Sequence, residues 1–190
     1  GSILAITFTN KAAREMRERL QGLLGGGIAG GPWVGTFHAF GAWILRQYGP
    51  LVDVPRSFSI LDAEDSLKVL RQICDRLDLD VREWPPQSFR WVISSAKNQL
   101  LDPDDLQEAV SSGAYRDELY RIAPRVYASY EAELGRNGTV DFDDLLLQPV
   151  RLLRSHESVR RKLAERFRFI LIDEYQDTNP AQSVIVELLA

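Results

Sequence analysis

The sequence predicts an α/β fold in which a parallel β-sheet is interrupted by an all-helical insertion. Near both ends of the 190-residue chain, short apolar runs rich in β-branched residues indicate buried strands, and each is followed by a helical pattern. Between Arg56 and Arg136 apolar residues recur at helical spacing, and no strand pattern is present. Strands that alternate with helices favour a parallel sheet, because each connection then crosses back over the sheet.

The first part of the sheet is predicted between Ile3 and Pro55. Its first helix can be capped by a polar side chain directly after the strand, and it ends at consecutive glycines. The predicted elements are a strand at residues 3–8, a helix from Thr9 or Asn10 to the glycines at 25–27, a strand at 33–37, and a helix from about His38 to Tyr48.

The insertion is predicted to consist of helices separated by proline- and glycine-containing breaks. Asp62 and Asp65 mark the start of its first helix, which has an apolar face at helical spacing. The predicted helices cover residues 62–77, 89–100, 104–111 and 116–134.

The sheet is predicted to resume after a turn at residues 136–138. In the last helix Asn179 is the cap, Pro180 occupies the first helical position, and Gln182 is placed for a capping box. The predicted elements are a helix from Asp141 to Leu153, a basic helix at 158–166, the strongest strand of the chain at 167–172, and the helix that follows Asn179.

The composition is typical of a globular protein without a disulfide framework. Cys74 is the only cysteine, which fits a reducing cytoplasm and argues against a secreted scaffold. No apolar run reaches the ~18 residues that span a bilayer, and the sequence shows no signal peptide, so we expect a cytoplasmic protein without a membrane partner. The net charge of -4 counts against nucleic-acid binding, although a basic groove can lie on an acidic protein.

Two adjacent carboxylates, Asp173 and Glu174, follow the strongest predicted strand. In parallel α/β sheets ligands bind at the carboxyl ends of the strands, so the pair is expected at a ligand-binding edge. There the first acid can hold the Mg²⁺ of a bound nucleotide, and the second can position or deprotonate an attacking water. Taken alone, the pair is explained equally well as loop acids that precede the cap at Asn179.

The string Asp-Glu-Tyr-Gln-Asp-Thr-Asn at residues 173–179 favours the ligand site. It resembles motif II, the Walker B segment, of UvrD/Rep/PcrA-like superfamily 1 DNA helicases. The resemblance implies a partial RecA-like parallel sheet of the P-loop NTPase type, with ATP and Mg²⁺ as cofactors. It further implies that Asp173 coordinates Mg²⁺, that Glu174 is the catalytic base, and that Gln176 couples the nucleotide state to the DNA site.

Two further strings resemble motifs of the same family that contact single-stranded DNA. Residues 5–13 (Ala-Ile-Thr-Phe-Thr-Asn-Lys-Ala-Ala) are similar to motif Ia, and residues 35–40 (Gly-Thr-Phe-His-Ala-Phe) are similar to motif Ib. An aromatic ring can stack on a base, hydroxyl and amide groups can bind phosphate, and a helix N-terminus attracts anions. Without the resemblance, such a phenylalanine is more often a core residue and a lone histidine a capping or packing residue. The implied DNA contacts are Phe8, Thr9, Asn10, Thr36 and His38.

Two further segments with charged side chains also match strings of the family, and each segment has a structural alternative. Asp141, Asp143 and Asp144 could bind Ca²⁺ or Mg²⁺, but we favour a structural role, with Asp141 as a cap and the others near the positive end of a helix. Lys97, within Ser-Ala-Lys-Asn at residues 95–98, is a candidate contact to duplex DNA phosphate. An ordinary solvated lysine explains it equally well.

The glycine-rich segment at residues 25–31 is not a phosphate-binding loop, because Gly-Lys-Ser/Thr occurs nowhere in the chain. We interpret the segment as a flexible surface loop. The resemblance places the Walker A loop and the adenine-binding glutamine motif before Ile3, and motifs III to VI after Ala190. Gly1 and Ser2 are interpreted as a cloning scar, so an excised fragment is expected.

The resemblance implies a parent protein that is an ATP-dependent helicase, which moves 3′ to 5′ on single-stranded DNA and unwinds duplex DNA. It implies a role in repair or replication, with repair or replication proteins as candidate partners. Residues 3–55 and 137–190 would form the first motor domain, and residues 56–136 its helical subdomain. The fragment itself is expected to be inactive as an ATPase. The alternatives are the motor of a RecB/AddA-type helicase–nuclease and a non-catalytic helical module that docks partner proteins.

Overall fold

The computed structural model describes residues 1–24, 31–115 and 117–190, and it confirms the α/β class with parallel strands. The glycine-rich loop predicted at 25–31 therefore lies, apart from Gly31, outside the described residues, as does Arg116 at a predicted helix start. The strands are β1 (Ile3–Thr7), β2 (Trp33–Thr36), β3 (Ser59–Ile60), β4 (Thr139–Val140) and β5 (Phe169–Ile172). The helices are α1 (Asn10–Leu24), α2 (Phe37–Tyr48), α3 (Ala63–Arg76), α4 (Pro86–Asn98), α5 (Pro103–Ser111), α6 (Glu118–Asn137), α7 (Asp144–Ser155), α8 (Glu157–Arg166) and α9 (Pro180–Leu189).

The main sheet has three parallel strands in the order β2-β1-β5. On one face, Leu4 and Ile6 of β1 are fully buried against Phe37 and Phe40 of α2 and against apolar residues of α7, α8 and α9. The apolar run of β1 therefore supplies the centre of this core, and burial of its side chains is the main force that holds helices and sheet together.

β5 is half-exposed, whereas the sequence analysis predicted a buried strand. Ile170 and Ile172 pack against the core, but Phe169 and Leu171, which point to the opposite face, are 62% and 59% exposed. A continuous apolar run shows that a strand forms, but it does not show whether both of its faces are covered. In the described part of the chain, only one face of β5 is covered.

The helices between β3 and β4 surround a separate apolar core. Tyr127 and Tyr130 of α6 are buried there together with Phe89, Val92 and Ile93 of α4, and with residues of α3 and α5. Among the described residues, no buried side chain belongs both to this core and to the core under the main sheet. Among the described helices, none combines the length and apolar character needed to cross a membrane.

Two short strands, β3 and β4, lie at the two ends of this helical region, where the sequence analysis predicted no strand. They pair in parallel, with Ser59 opposite Thr139 and Ile60 opposite Val140. Each strand has two residues, which is too short to leave an alternating pattern in the sequence. Gly138 adopts a left-handed backbone with φ of 61°, and this conformation turns the chain from α6 into β4.

α2 and α7 cross in close contact at Gly41. A Cβ atom at this position would overlap the backbone carbonyl oxygen of Leu145. The contact brings the start of α2, which follows β2, close to the start of α7, which follows β4. It therefore joins the sheet to the chain segment that returns from the helical region.

Candidate functional site at the carboxyl edge of the sheet

The three parallel strands end at one edge, and the predicted nucleotide and DNA residues follow them there. Thr7 at the end of β1 lies opposite Thr36 at the end of β2, and Ile6 lies opposite Ile172 at the end of β5. The backbone N–H of Asp173 donates to the carbonyl of Ile6 at 3.0 Å. The chain segments that begin at residues 8, 37 and 173 therefore leave the sheet side by side.

The acid pair lies on a tight, exposed turn after β5. Asp173, Glu174 and Gln176 are all exposed, and Glu174 has a left-handed backbone with φ of 54° and ψ of 44°. A residue other than glycine adopts this conformation only where its surroundings impose it, and such strain is concentrated at functional sites. In the described part of the chain, neither carboxylate of the pair forms an ion pair or a side-chain hydrogen bond.

The exposed acid pair fits Mg²⁺ only when the metal brings other ligands with it. No group of three or more potential metal-ligating side chains comes together among residues 1–24, 31–115 and 117–190. Mg²⁺ is commonly held by one or two carboxylates together with water and substrate phosphates. The free carboxylates of Asp173 and Glu174 suit that arrangement, in which a bound nucleotide supplies the remaining oxygens.

The turn between β1 and α1 combines helix capping with exposed polar groups. The Thr9 hydroxyl accepts a hydrogen bond from the Ala12 N–H at 3.1 Å, so Thr9 is the cap of α1. Thr9 and Asn10 are exposed, whereas Phe8 is half-buried and meets Phe37 edge-on with ring centroids 5.8 Å apart. The turn presents two polar side chains and part of one aromatic ring at the sheet edge.

The turn between β2 and α2 presents an aromatic stack. The Thr36 hydroxyl caps α2 by accepting from the Ala39 N–H at 3.2 Å, and only 8% of Thr36 is exposed. His38 stacks on Phe142 with ring centroids 3.8 Å apart and an interplanar angle of 20°. Burial lowers the pKa of His38 to about 4, so its ring is neutral at neutral pH. Phe142 is 57% exposed and forms the outer face of the stack.

Lys97 cannot contact a DNA phosphate in this structure, so that prediction is wrong. Lys97 is only 1% exposed. Its ammonium lies 2.8 Å from a carboxylate oxygen of each of Glu131, Asp141 and Asp144. Burial alone would lower the pKa of Lys97, but these three carboxylates raise it well above its usual value. The sequence carries a signal for this burial, because Lys97 follows Ile93 by four residues on the apolar face of α4.

The acids before α7 have the structural role that the sequence analysis favoured. An Asp141 carboxylate oxygen accepts from the Asp144 N–H at 2.9 Å, and an Asp144 oxygen accepts from the Asp141 N–H at 3.1 Å. Burial raises the pKa of Asp144 above its usual value, although Lys97 opposes the shift. Asp143 accepts a hydrogen bond from the Asn98 side-chain amide at 2.8 Å. The segment therefore fixes the start of α7 against α4 and α6.

Phe142 and Asn98 were not predicted from the sequence as residues of the site. Phe142 lies inside an acid-rich string, where the charged side chains are the more obvious candidates. Asn98 lies at the end of α4 and is 81 positions from Asn179, to which its side chain is hydrogen-bonded. No local pattern reports contacts of such long sequence separation.

An open cavity of about 400 Å³ lies beside Phe142, between the start of α3, α4 and the turn before α7. Among the residues that line it are three carboxylates, of Asp62, Asp141 and Asp143, and one guanidinium, of Arg90. This excess of negative charge makes the cavity a poor site for a phosphate group. The exposed surface of Phe142 is therefore the feature of this region that suits a nucleic acid.

Comparison with known proteins gives a family match over the whole chain. The model of the UvrD/REP helicase N-terminal domain family matches residues 1–190. The chain is 42% identical over 188 residues to the ATP-dependent DNA helicase PcrA of Leuconostoc citreum. The aligned region covers 99% of this chain and 24% of that protein. It is 42% identical to PcrA of Bacillus subtilis (strain 168) and 40% identical to DNA helicase II of Escherichia coli (strain K12), in each case over 100% of this chain and 25% of the relative. The chain thus spans about a quarter of the length of these curated relatives.

Proposed function

This chain belongs to the UvrD/REP helicase N-terminal domain family, and from this we propose that it is part of the first motor domain of an ATP-dependent DNA helicase. The carboxyl edge of the sheet carries the proposal, because it places the Asp173–Glu174 pair beside the turns that begin at Phe8 and Phe37. A motor that couples ATP hydrolysis to movement on DNA needs a physical connection between its nucleotide and DNA sites, and a shared sheet edge supplies one. The relatives named as ATP-dependent DNA helicases support this reading.

On the nucleotide side, the proposed catalytic residues are Asp173, Glu174 and Gln176. Asp173 would hold Mg²⁺, which shields the phosphate charges of ATP when it is bound. The free carboxylate of Glu174, which lies on the exposed turn directly after Asp173, would take a proton from the attacking water. Gln176 is exposed on the same turn and would couple the nucleotide state to the DNA-binding residues.

On the DNA side, we propose that single-stranded DNA crosses the edge over the β1–α1 turn and the His38–Phe142 stack. Asn10 and Thr9 offer exposed polar groups for phosphate at the N-terminus of α1, where the helix dipole favours an anion. The exposed ring of Phe142 offers a stacking surface for a base, and the neutral ring of His38 supports it from behind. Thr36 would act mainly by holding His38 in place, because its hydroxyl caps α2.

The proposed division of the chain places residues 3–55 and 137–190 in the motor domain and residues 56–136 in a helical subdomain. The two larger apolar cores support this division, and a third, smaller cluster that contains Phe58, Val54 and Val140 lies where the two parts join. The same proposal includes movement in the 3′ to 5′ direction and unwinding of duplex DNA. It also includes action in the cytoplasm and a role with repair or replication proteins. A RecB/AddA-type motor and a helical docking module remain alternatives.

Binding of single-stranded DNA to this chain tests the DNA side of the proposal. The affinity of a fluorescein-labelled oligothymidylate for the chain is measured by anisotropy at several salt concentrations. We expect weak binding that falls steeply with salt, and Phe142→Ala should weaken it about fivefold to a hundredfold, the range for loss of one base–aromatic stack.

Phe169→Ala is the matched control, because Phe169 is similarly exposed at 62% but lies at the opposite end of the sheet. It should leave the affinity unchanged. Equal loss of affinity in both variants, or no loss in Phe142→Ala, would reject the proposed DNA path.

A further inference from the structure

The side chain of Asn98, in the last turn of α4, joins three parts of the molecule by hydrogen bonds. Its amide N–H groups donate to the carboxylate of Asp143 and to the backbone carbonyl of Ser94, each at 2.8 Å. Its carbonyl oxygen accepts from the side-chain amide of Asn179 at 2.6 Å. Both donors and the acceptor of this side chain are therefore used within the protein.

One end of this connection lies next to the acid turn. Asn179 caps α9 through a reciprocal pair of hydrogen bonds with Gln182, at 2.9 and 3.1 Å. The residue before it, Thr178, donates to the carbonyl of Tyr175 at 2.9 Å and shares a hydrogen bond with Ser183 at 2.8 Å. The turn that carries Glu174 is thereby attached to the start of α9, and Asn98 holds that start from the side.

The other end lies next to the aromatic stack. Asp143 directly follows Phe142, which covers His38 at the edge of the sheet. The next residue, Asp144, is fixed by Lys97, which is the neighbour of Asn98 in α4. The end of α4 therefore contacts the Phe142 segment through two consecutive side chains, one by an ion pair and one by a hydrogen bond.

We infer that Asn98 is a positioning residue that couples the acid turn after β5 to the Phe142–His38 stack. When the Asp173–Asp177 turn shifts and moves Asn179, the side-chain amide of Asn98 moves with it and displaces Asp143. The ring of Phe142, the residue before Asp143, then moves as well. The inference rests on the proposed function, because it assigns the coupling of nucleotide state to DNA contact to a side chain of the helical region. The carboxamide is required, since it alone donates to Asp143 and accepts from Asn179 at once.

The isosteric variant Asn98→Asp tests this requirement. An aspartate at this position still accepts from Asn179, but it places a second carboxylate against that of Asp143 and removes both donors. The double variant Asn98→Asp/Asp143→Asn exchanges the two groups, so the amide at position 143 can donate to the carboxylate at position 98. Gln99→Glu is the matched control, because Gln99 is exposed and bonds only within its own helix, to Ser95.

The measurement is ATP hydrolysis by the full-length protein that carries this segment, over a range of ATP concentrations, with and without saturating oligothymidylate. Thermal unfolding of each variant shows that it is folded at the assay temperature. We expect Asn98→Asp to lower kcat at saturating DNA about tenfold, with an unchanged KM for ATP, as for loss of one hydrogen bond. The double variant should recover most of the DNA stimulation, and Gln99→Glu should match the wild type.

The inference is overturned if Asn98→Asp keeps wild-type DNA stimulation, or if hydrolysis with and without DNA falls by the same factor. A loss that the double variant does not recover also overturns it, since the exchange restores the donor–acceptor match. These results leave the proposed function intact, because the wild type still shows DNA-stimulated hydrolysis. A wild-type protein without such stimulation would instead reject the proposed function, and with it the inference.

Discussion

At the scale of single residues, the feature with the largest energetic consequence is the buried ammonium of Lys97. It faces three carboxylates at 2.8 Å, and at 1% exposure the residue is shielded from bulk solvent. The sequence could not separate this lysine from a surface lysine by composition, because its partners are 34 to 47 positions away in the chain. Only its place on the apolar face of α4 pointed to burial.

Lys97→Met should lower the free energy of unfolding by about 3–5 kcal/mol, because it leaves buried carboxylates without their cation. Urea unfolding followed by circular dichroism measures this change. Lys68→Met is the control, since Lys68 pairs with Glu64 and Asp65 on the exposed face of α3, and its loss should change stability little. Similar effects in the two variants would show that the Lys97 cluster does not stabilise the fold.

The raised pKa of Asp144 predicts a pH-dependent stability. Burial raises the pKa of Asp144 on folding above its ordinary value of 3.8, so at pH values just above 3.8 the folded state holds a proton that the unfolded chain has released, and the ion pair with Lys97 forms as that proton leaves. The stabilisation from this group is therefore complete below the unfolded pKa of 3.8 and is lost as the pH rises through the higher pKa of the folded state. The stability advantage of the wild type over Asp144→Asn should shrink across this window, measured by urea unfolding at each pH. Asp75→Asn, at an exposed position of α3, is the control variant.

At the scale of secondary-structure elements, local sequence determined the helix starts well. Asp62 accepts from two backbone N–H groups at the start of α3, and Asn179 forms the expected capping box with Gln182. These interactions join residues within three positions of each other, so a local pattern records them. The pairing of β3 with β4 joins residues 80 positions apart and was missed, because it depends on where α3 to α6 return the chain.

The crossing of α2 and α7 gives a prediction about packing. Gly41→Ala should lower the free energy of unfolding by about 1–3 kcal/mol or more, because the added methyl group overlaps the Leu145 carbonyl and forces the helices apart. Gly22→Ala is the control within α1, where nothing lies within 4 Å of the new methyl group. That change should instead stabilise the helix by roughly 0.5–1 kcal/mol. Thermal unfolding of the two variants should therefore shift in opposite directions.

At the scale of the whole molecule, the site is formed by the sheet edge and not by any one motif. The order of strands and helices in the sequence was enough to predict that residues 8–10, 36–38 and 173–176 meet, since parallel strands end at a common edge. The exposed face of β5 and the position of the Phe142 ring were not predictable, because they depend on which elements cover a surface. The sequence thus located the edge, and the structure identified the aromatic group that stands on it.

The absence of Gly-Lys-Ser/Thr from the chain leads to the prediction that this chain alone does not hydrolyse ATP. Mg²⁺ in nucleotide hydrolases is held between the Walker B acid and the phosphates, and a lysine and backbone amides of a phosphate-binding loop hold those phosphates in place. Without that loop, Asp173 and Glu174 offer two carboxylates to a ligand that is itself strongly anionic, so repulsion outweighs binding. Phosphate release from Mg²⁺–ATP, with and without oligothymidylate, should therefore match that of a Glu174→Gln variant and of buffer. DNA-stimulated release by the wild-type chain that Glu174→Gln abolishes would show that the acid pair assembles a catalytic site without such a loop.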